Sequence, residues 1–205
     1  MEYGYIYFLL ILGLLFIGIS FLKRLNAVKK MRQEALNKYD ETKEEFKTLT
    51  STQFDEIKVD ELTHAVIFRI MEKDESRDPN VPLVSLLSHP EKLIYTIYLV
   101  ELSMGGGRGS IHSFFLDEQY QDFVSFSQEA FEAVQMFTVS KLMEGASNLA
   151  KVIEEEKEDD IEGEYSNYNF ADFTAQIMGE LKSSAIVTIA GQYIKDHKDQ
   201  FIDKE

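Results

Sequence analysis

The chain contains no cysteine, which excludes disulfides, thiolate metal sites and cysteine nucleophiles together. That absence agrees with a reducing compartment. Proline is almost missing too. Pro79, Pro82 and Pro90 are the three present, all within one short stretch, so long segments elsewhere meet no proline break. Apolar–polar alternation at period two is scarce, and no internal repeat is visible. Most segments carry helical spacing instead, and the expected fold class is all-α. Positive charge is also scarce beyond the first turns of the chain. Residues 1–32 hold five basic residues and one acidic residue, whereas residues 33–205 hold 16 basic and 35 acidic, a net of −19. A domain this acidic does not bind a nucleic-acid backbone by charge, because that needs Lys and Arg against phosphate. It suits a basic partner protein, and solubility alone would account for the same excess.

What the sequence does contain is one long apolar run. Tyr3 to Leu22 is 20 residues without a charge, and Lys23, Arg24, Lys29, Lys30 and Arg32 follow at once. As a helix it spans roughly 30 Å, the thickness of a bilayer hydrocarbon core. A secretory signal peptide has the opposite order, with basic residues before the apolar stretch and small residues at a cleavage site after it. The expectation is an uncleaved single-pass anchor over residues 1–22. Lys and Arg are retained on the cytoplasmic side, which puts the N-terminus outside and everything after Lys23 in the cytoplasm of the cell. Tyr3, Tyr5 and Tyr7 fit the outer interfacial belt, and the basic collar can meet anionic lipid head groups.

Residues 23–50 read as a juxtamembrane helix continuing the anchor. Leu25, Val28, Arg32, Ala35, Tyr39, Thr42, Phe46 and Leu49 fall at alternating steps of three and four, a heptad seam with polar defects. It could pair two chains into a homodimer or pack on its own domain. Residues 51–205 then form the acidic all-helical domain. Asp60 is an N-cap candidate for a helix to about Lys73 with Leu62, Val66, Ile70 and Met71 inward, followed by a polar loop from Asp74. Ser88 and Glu91 have capping-box spacing and open a helix through Leu93, Ile94, Ile97, Leu99, Val100 and Leu102. That helix is apolar nearly all round and belongs in the middle of the bundle. The triple glycine at Gly105 ends it. After an aromatic segment, Ile111 to Leu116, a second capping box at Ser125 and Gln128 opens a helix with Ala130, Phe131, Val134 and Phe137 inward. A helix over 139–153 follows, then an acidic loop, then two closing helices through Phe170 to Leu181 and Ile186 to Phe201.

The GGGRGS cluster lacks the lysine and the preceding strand of a phosphate loop, and reads as a corner between helices. His64, His89, His112 and His197 form no close ligand pair, so no metal, cofactor or catalytic set is expected. Glu101 stands out. A carboxylate near the end of the most apolar helix is costly unless hydrogen-bonded or paired. It is either a general acid or base, or an acceptor for backbone N–H groups of the glycine corner. The absence of a nucleophile or second carboxylate nearby favours the corner. The candidate partner-binding residues are Glu154, Glu155, Glu156, Glu158, Asp159, Asp160, Glu162 and Glu164, a stretch with one lysine among eight acids and otherwise readable as a solvated loop.

Three stretches resemble a bacterial helical domain family of uncharacterised function, similar to the C-terminal part of the acidic DNA-mimic protein of Neisseria. Glu101, Gly105 and Gly106 match the family's glutamate and glycine pair, and Ile111, Phe114 and Phe115 take its aromatic positions. Met104 precedes the glycines where the family has Asn, Ser113 stands for Gln, and the corner is about four residues longer. Phe131 to Ala146 resembles the helix after the aromatic segment, and Tyr193 to Phe201 the closing helix. The resemblance covers roughly residues 60–202. It implies an all-helical fold, a structural role for Glu101, Gly105, Gly106, Phe114 and Phe115, and no established reaction. One member acts by presenting acidic side chains to a DNA-binding protein. The sequence reading is thus a non-enzymatic, membrane-anchored acidic module, DNA-mimic-like or immunity-type, for a basic partner. The alternatives are a metal-dependent hydrolase-like enzyme using Glu101 and a histidine, or a structural membrane protein.

Overall fold

The computed structural model describes Arg24 and residues 27–105, 109–155 and 167–203. The apolar run Tyr3–Leu22 lies outside them. No helix among the described residues is long and apolar enough to cross a membrane. The described elements are all helical, without a strand. The chain divides into two compact units, residues 1–45 and 46–205. In the first, helix α1 covers residues 27–45. Val28, Met31, Leu36 and Tyr39 on it are exposed. The helix expected over 23–50 therefore ends at residue 45. Leu49, assigned to its seam, is fully buried in the core of the second unit.

The second unit opens with α2, Ser51–Glu56, whose Thr50 side chain and Gln53 make a reciprocal capping box. Helix α3, Val59–Ser76, buries Leu62, Val66 and Ile70 as their spacing requires. Its N-cap is Lys58, which makes no side-chain cap hydrogen bond. Asp60, expected as the cap, sits in the first turn with Glu61 and complements the helix dipole there. The helix runs to Ser76, into the stretch expected as loop. After the short α4, Leu83–Leu86, α5 spans His89–Ser103. Both halves of its expected capping box form. Ser88 Oγ accepts from the Glu91 amide at 3.4 Å and Glu91 Oε2 accepts from the Ser88 amide at 2.9 Å. Leu93, Ile94, Ile97, Leu99 and Val100 are buried, whereas Leu102 is exposed.

Beyond the glycine corner lie α6 (Ile111–Leu116), a 3-10 turn (Glu118–Tyr120), α7 (Gln121–Val124), α8 (Ser127–Ala133) and α9 (Phe137–Glu154). The expected cap at Ser125 does not form. Helix α8 begins two residues later without a side-chain cap. Phe137, expected inward on the same helix, is exposed and starts α9. The break is a Schellman turn. The Met136 amide donates to the Phe131 carbonyl at 2.8 Å and the Gln135 amide to Glu132 at 2.9 Å, with Gln135 left-handed at φ 60°. The motif usually announces itself by glycine, so a glutamine hides it. Exchanging exposed Gln135 for Gly should therefore stabilise the domain. Relief of the left-handed penalty exceeds the added chain entropy by about 0.5–1 kcal/mol, readable as a higher denaturation midpoint.

Helices α10 (Phe170–Ser183) and α11 (Ile186–Asp196) close the unit. Asn169 and Asp172 cap α10 reciprocally. Helix α11 makes its most extensive packing against α3. The core is continuous, with Phe114, Phe115, Phe131, Phe173 and Phe201 among its fully buried side chains. Phe201 reaches it from a terminal 3-10 turn, Lys198–Gln200, rather than from α11 itself.

Candidate functional site

Glu101 lies in the last turn of α5. It lines a pocket of about 390 Å³ with Ile67, Ile97, Leu102, Val187 and Ala190, and with His64. The walls come from α3, α5 and the start of α11, so the pocket exists because the apolar faces of three helices meet. Glu101 has no hydrogen-bond or ion-pair partner among the described residues. The neighbouring polar groups are differently placed. Thr63 donates its hydroxyl to the Val187 carbonyl at 2.9 Å. Burial pushes the Glu101 carboxyl above its ordinary value of 4.5, since removing water disfavours the ion.

Among the described residues Glu101 accepts from neither Gly105 nor Gly109, and the rest of the corner expected to bond it, residues 106–108, lies outside them. The described residues on either side of the corner are held by other bonds. Ser103 Oγ donates to the Val100 carbonyl at 2.8 Å. Thr174 Oγ1 accepts the Ile111 amide at 3.0 Å and donates to the Phe170 carbonyl at 2.6 Å, which ties α10 to the start of α6. The steric demand for glycine also falls elsewhere than on the motif. A Cβ on Gly105 would meet nothing within 4 Å, whereas one on Gly109 would sit 2.1 Å from the Ser103 carbonyl oxygen. Gly106 lies outside the described residues. Phe114 and Phe115 are buried edge to face, with ring centroids 5.2 Å apart.

These observations give Glu101 a testable signature. With no bond to a described residue to lose, Glu101→Gln should melt no lower than the wild type at pH 7. The sign follows from proton linkage. A carboxyl whose folded value is raised holds its proton more tightly when folded. Its favourable contribution is complete below pH 4.5 and is lost as pH rises through the raised value. Gln keeps that contribution at neutral pH, so the difference between variant and wild type should close as pH falls toward 4.5. A lower melting temperature for the variant at pH 7 would restore the loop-fixing role.

The histidines are dispersed. His89 opens α5 and contacts Glu129 at 2.7 Å on the surface. His112 lies edge-on to Phe170. His197 is the C-cap of α11, and its Nδ1 lies 2.8 Å from the Tyr193 carbonyl. Among the described residues no three His, Asp or Glu side chains are grouped to hold a metal ion. A second pocket, about 450 Å³, lies between the α8–α9 turn and α11 beside Tyr193 and His197. Of its polar lining, Gln192 donates to Asp196 at 2.8 Å and His197 Nδ1 lies 2.8 Å from the Tyr193 carbonyl.

Of the acidic run, Glu154 is the last residue of α9 rather than the start of a loop, and Glu155 is its C-cap. Glu156, Glu158, Asp159, Asp160, Glu162 and Glu164 lie outside the described residues. The structure carries a second acidic surface, over residues 117–132. Asp117, Glu118, Asp122, Glu129 and Glu132 are all exposed, and no Lys or Arg occurs from residue 109 to 140. The signal was the missing cations, diluted by the aromatic residues between the acids.

The described domain is therefore an acidic, all-helical unit with one apolar pocket holding an unpartnered carboxylate. No protein-family model, no curated protein and no solved structure matches the chain.

Proposed function

We propose that this chain is a membrane-anchored interaction protein whose acidic helical domain, on the cytoplasmic face, binds a basic partner protein. The observation that carries the reading is the net charge of −19 over residues 33–205. Its distribution supports it. The exposed carboxylates of α7, α8 and the turn before them have no neighbouring cation in the sequence. Cations of the same unit, Lys47, Lys58, Arg69, Lys73, Arg77 and Lys198, are each held in an ion pair within the domain. Such a surface accelerates encounter with a positive partner and rejects nucleic acid. Glu154 to Glu164 would extend it. A DNA-binding regulator, as the resemblance to the Neisseria DNA-mimic domain implies, or a toxin held by an immunity-type contact, are the partners it fits.

Pull-down with the full chain at rising salt tests this. The partner should be released as ionic strength rises from about 0.1 to 0.5 M, and Glu118→Lys with Asp122→Lys should weaken capture at low salt. Capture that survives molar salt would exclude an electrostatic interface. The anchor over Tyr3–Leu22 supports the membrane assignment through its length and its basic collar. In this cysteine-free chain, Gln53→Cys in intact cells should resist an impermeant thiol reagent; labelling would reverse the orientation.

A second reading, a metal-dependent hydrolase-like enzyme using Glu101 and a histidine, has one observation in its favour: His64 lines the same pocket as Glu101. It requires metal in the purified full chain, which elemental analysis reads directly.

A further inference from the structure

The pocket at Glu101 has features that partner binding through an acidic surface does not use. Its walls are largely aliphatic: Ile67, Ile97, Leu102, Val187 and Ala190. Leu102 is 51% exposed at this site and presents its side chain to the pocket mouth. Ala185, left-handed at φ 47°, immediately precedes α11, and the turn it makes delivers Ile186 and Val187 to the pocket wall. The volume, about 390 Å³, falls in the range of small-molecule sites. Against these apolar walls stands one carboxylate with no protein partner among the described residues.

Glu101 contrasts with the domain's other buried carboxylate. Glu91, 2% exposed, is met by both Arg69 and Lys73. The fold therefore supplies cations where a carboxylate is needed for structure. At Glu101 the described residues supply no bonded cation, His64 of the same pocket making no ion pair with it, although the side chain is half-buried and the cost of desolvation falls on it. Gln in its place would lose no described contact. The complement that this site lacks is a positive charge carried on a hydrocarbon body.

We infer that the pocket between α3, α5 and α11 is a binding site for a small organic cation, an ammonium on a short apolar chain or ring, with Glu101 as counter-ion and Ile67, Ile97, Leu102 and Val187 as the apolar contacts. The ammonium donates to the Glu101 carboxylate while the hydrocarbon displaces water from the walls. Charge-assisted hydrogen bonds in such surroundings are about twice as strong as neutral ones. The ammonium's charge would offset the desolvation that pushes the Glu101 carboxyl up, so the occupied site holds the ionised form more readily than the empty one. This site is independent of the acidic surface over residues 117–132, and each can fail without the other.

The test is calorimetric titration of the full chain at pH 8 with three isosteric probes: hexylammonium, hexanol and hexanoate. Hexylammonium should bind best and hexanoate worst. Glu101→Gln should weaken hexylammonium roughly tenfold or more, in line with loss of one charged hydrogen bond, while leaving hexanol nearly unchanged. Asp122→Asn, on the remote acidic surface, should alter neither. Equal binding of hexylammonium and hexanol, unaffected by Glu101→Gln, would reduce the site to an apolar cavity and overturn the inference. Equal weakening by Asp122→Asn and Glu101→Gln would assign the effect to overall charge, and no heat from hexylammonium at millimolar concentration would remove the site altogether.

Discussion

Arg69→Met should cost the domain about 3 kcal/mol of stability, the low end of the range for breaking a buried ion pair, because Lys73 still faces Glu91. Arg69 is 8% exposed on α3. Its guanidinium donates to Glu91 Oε1 at 3.0 Å and to the Phe201 carbonyl at 2.7 Å, and its other arm holds the Asp203 carboxylate. Lys73, one turn on, donates to the same Glu91 oxygen at 2.7 Å. Asp203 then accepts the Leu49 amide at 2.8 Å, and its own amide donates to the Leu49 carbonyl at 2.9 Å. One planar fork thus joins the middle of α3, the first turn of α5 and both ends of the folded unit. Lysine in its place could not satisfy three acceptors in these directions.

Methionine preserves most of the aliphatic stem, so the measured loss reports the fork rather than packing. Chemical denaturation reads the energy. Hydrogen exchange should show early loss of protection at Leu49 and Phe201–Asp203, before α3 itself opens. A loss below about 1 kcal/mol for Arg69→Met would place this cluster among surface ion pairs and end its role as the clasp of the domain.

Gly191→Ala should destabilise by about 3 kcal/mol. Gly191 is buried where α11 crosses the start of α3, and a Cβ there would lie 1.8 Å from the Val59 carbonyl oxygen and 2.9 Å from its carbon. Those are backbone atoms in the first turn of a helix and cannot swing aside like a side chain. The two helices must separate, which unpacks the tightest pair in the unit. Alanine is about 1 kcal/mol better than glycine as a helix former, so the sign depends on surroundings alone. Gly179, exposed in α10 with nothing within 4 Å of its would-be Cβ, is the matched control. Gly179→Ala should raise the melting temperature, and Gly191→Ala should lower it by roughly 10 °C. Stabilisation by both substitutions would mean that α11 and α3 do not approach as closely as described.

The parts of the fold legible in the sequence are those set by near neighbours. Helical spacing placed Leu62, Val66 and Ile70 inward on α3, and Phe173, Ile177 and Leu181 inward on α10. Ser88 and Glu91 announced the start of α5 because a capping box joins residues three apart. Two further boxes, Thr50 with Gln53 and Asn169 with Asp172, carry the same signal and were equally readable. The turn at Gln135 was not, since a left-handed residue other than glycine leaves no mark in the sequence.

Glu101 and Arg69 show the division most clearly. A carboxylate on an apolar helix was conspicuous from residue types alone, and the sequence by itself marked it as costly. Whether that cost was met could not be read, because a partner may come from anywhere in the chain. Folding brought Arg69 and Lys73 to Glu91 and brought neither to Glu101. Arg69 looked like an ordinary helical arginine, since its acceptors lie 22, 132 and 134 positions away. The sequence by itself determined helix class, acidity, the apolar run and the inward faces, all of which depend on composition or on spacings within a few turns. Only the tertiary structure decided which buried charge is paired, which is left facing a pocket and which glycine is indispensable. Those outcomes depend on distances between segments remote in sequence, which local spacing does not encode.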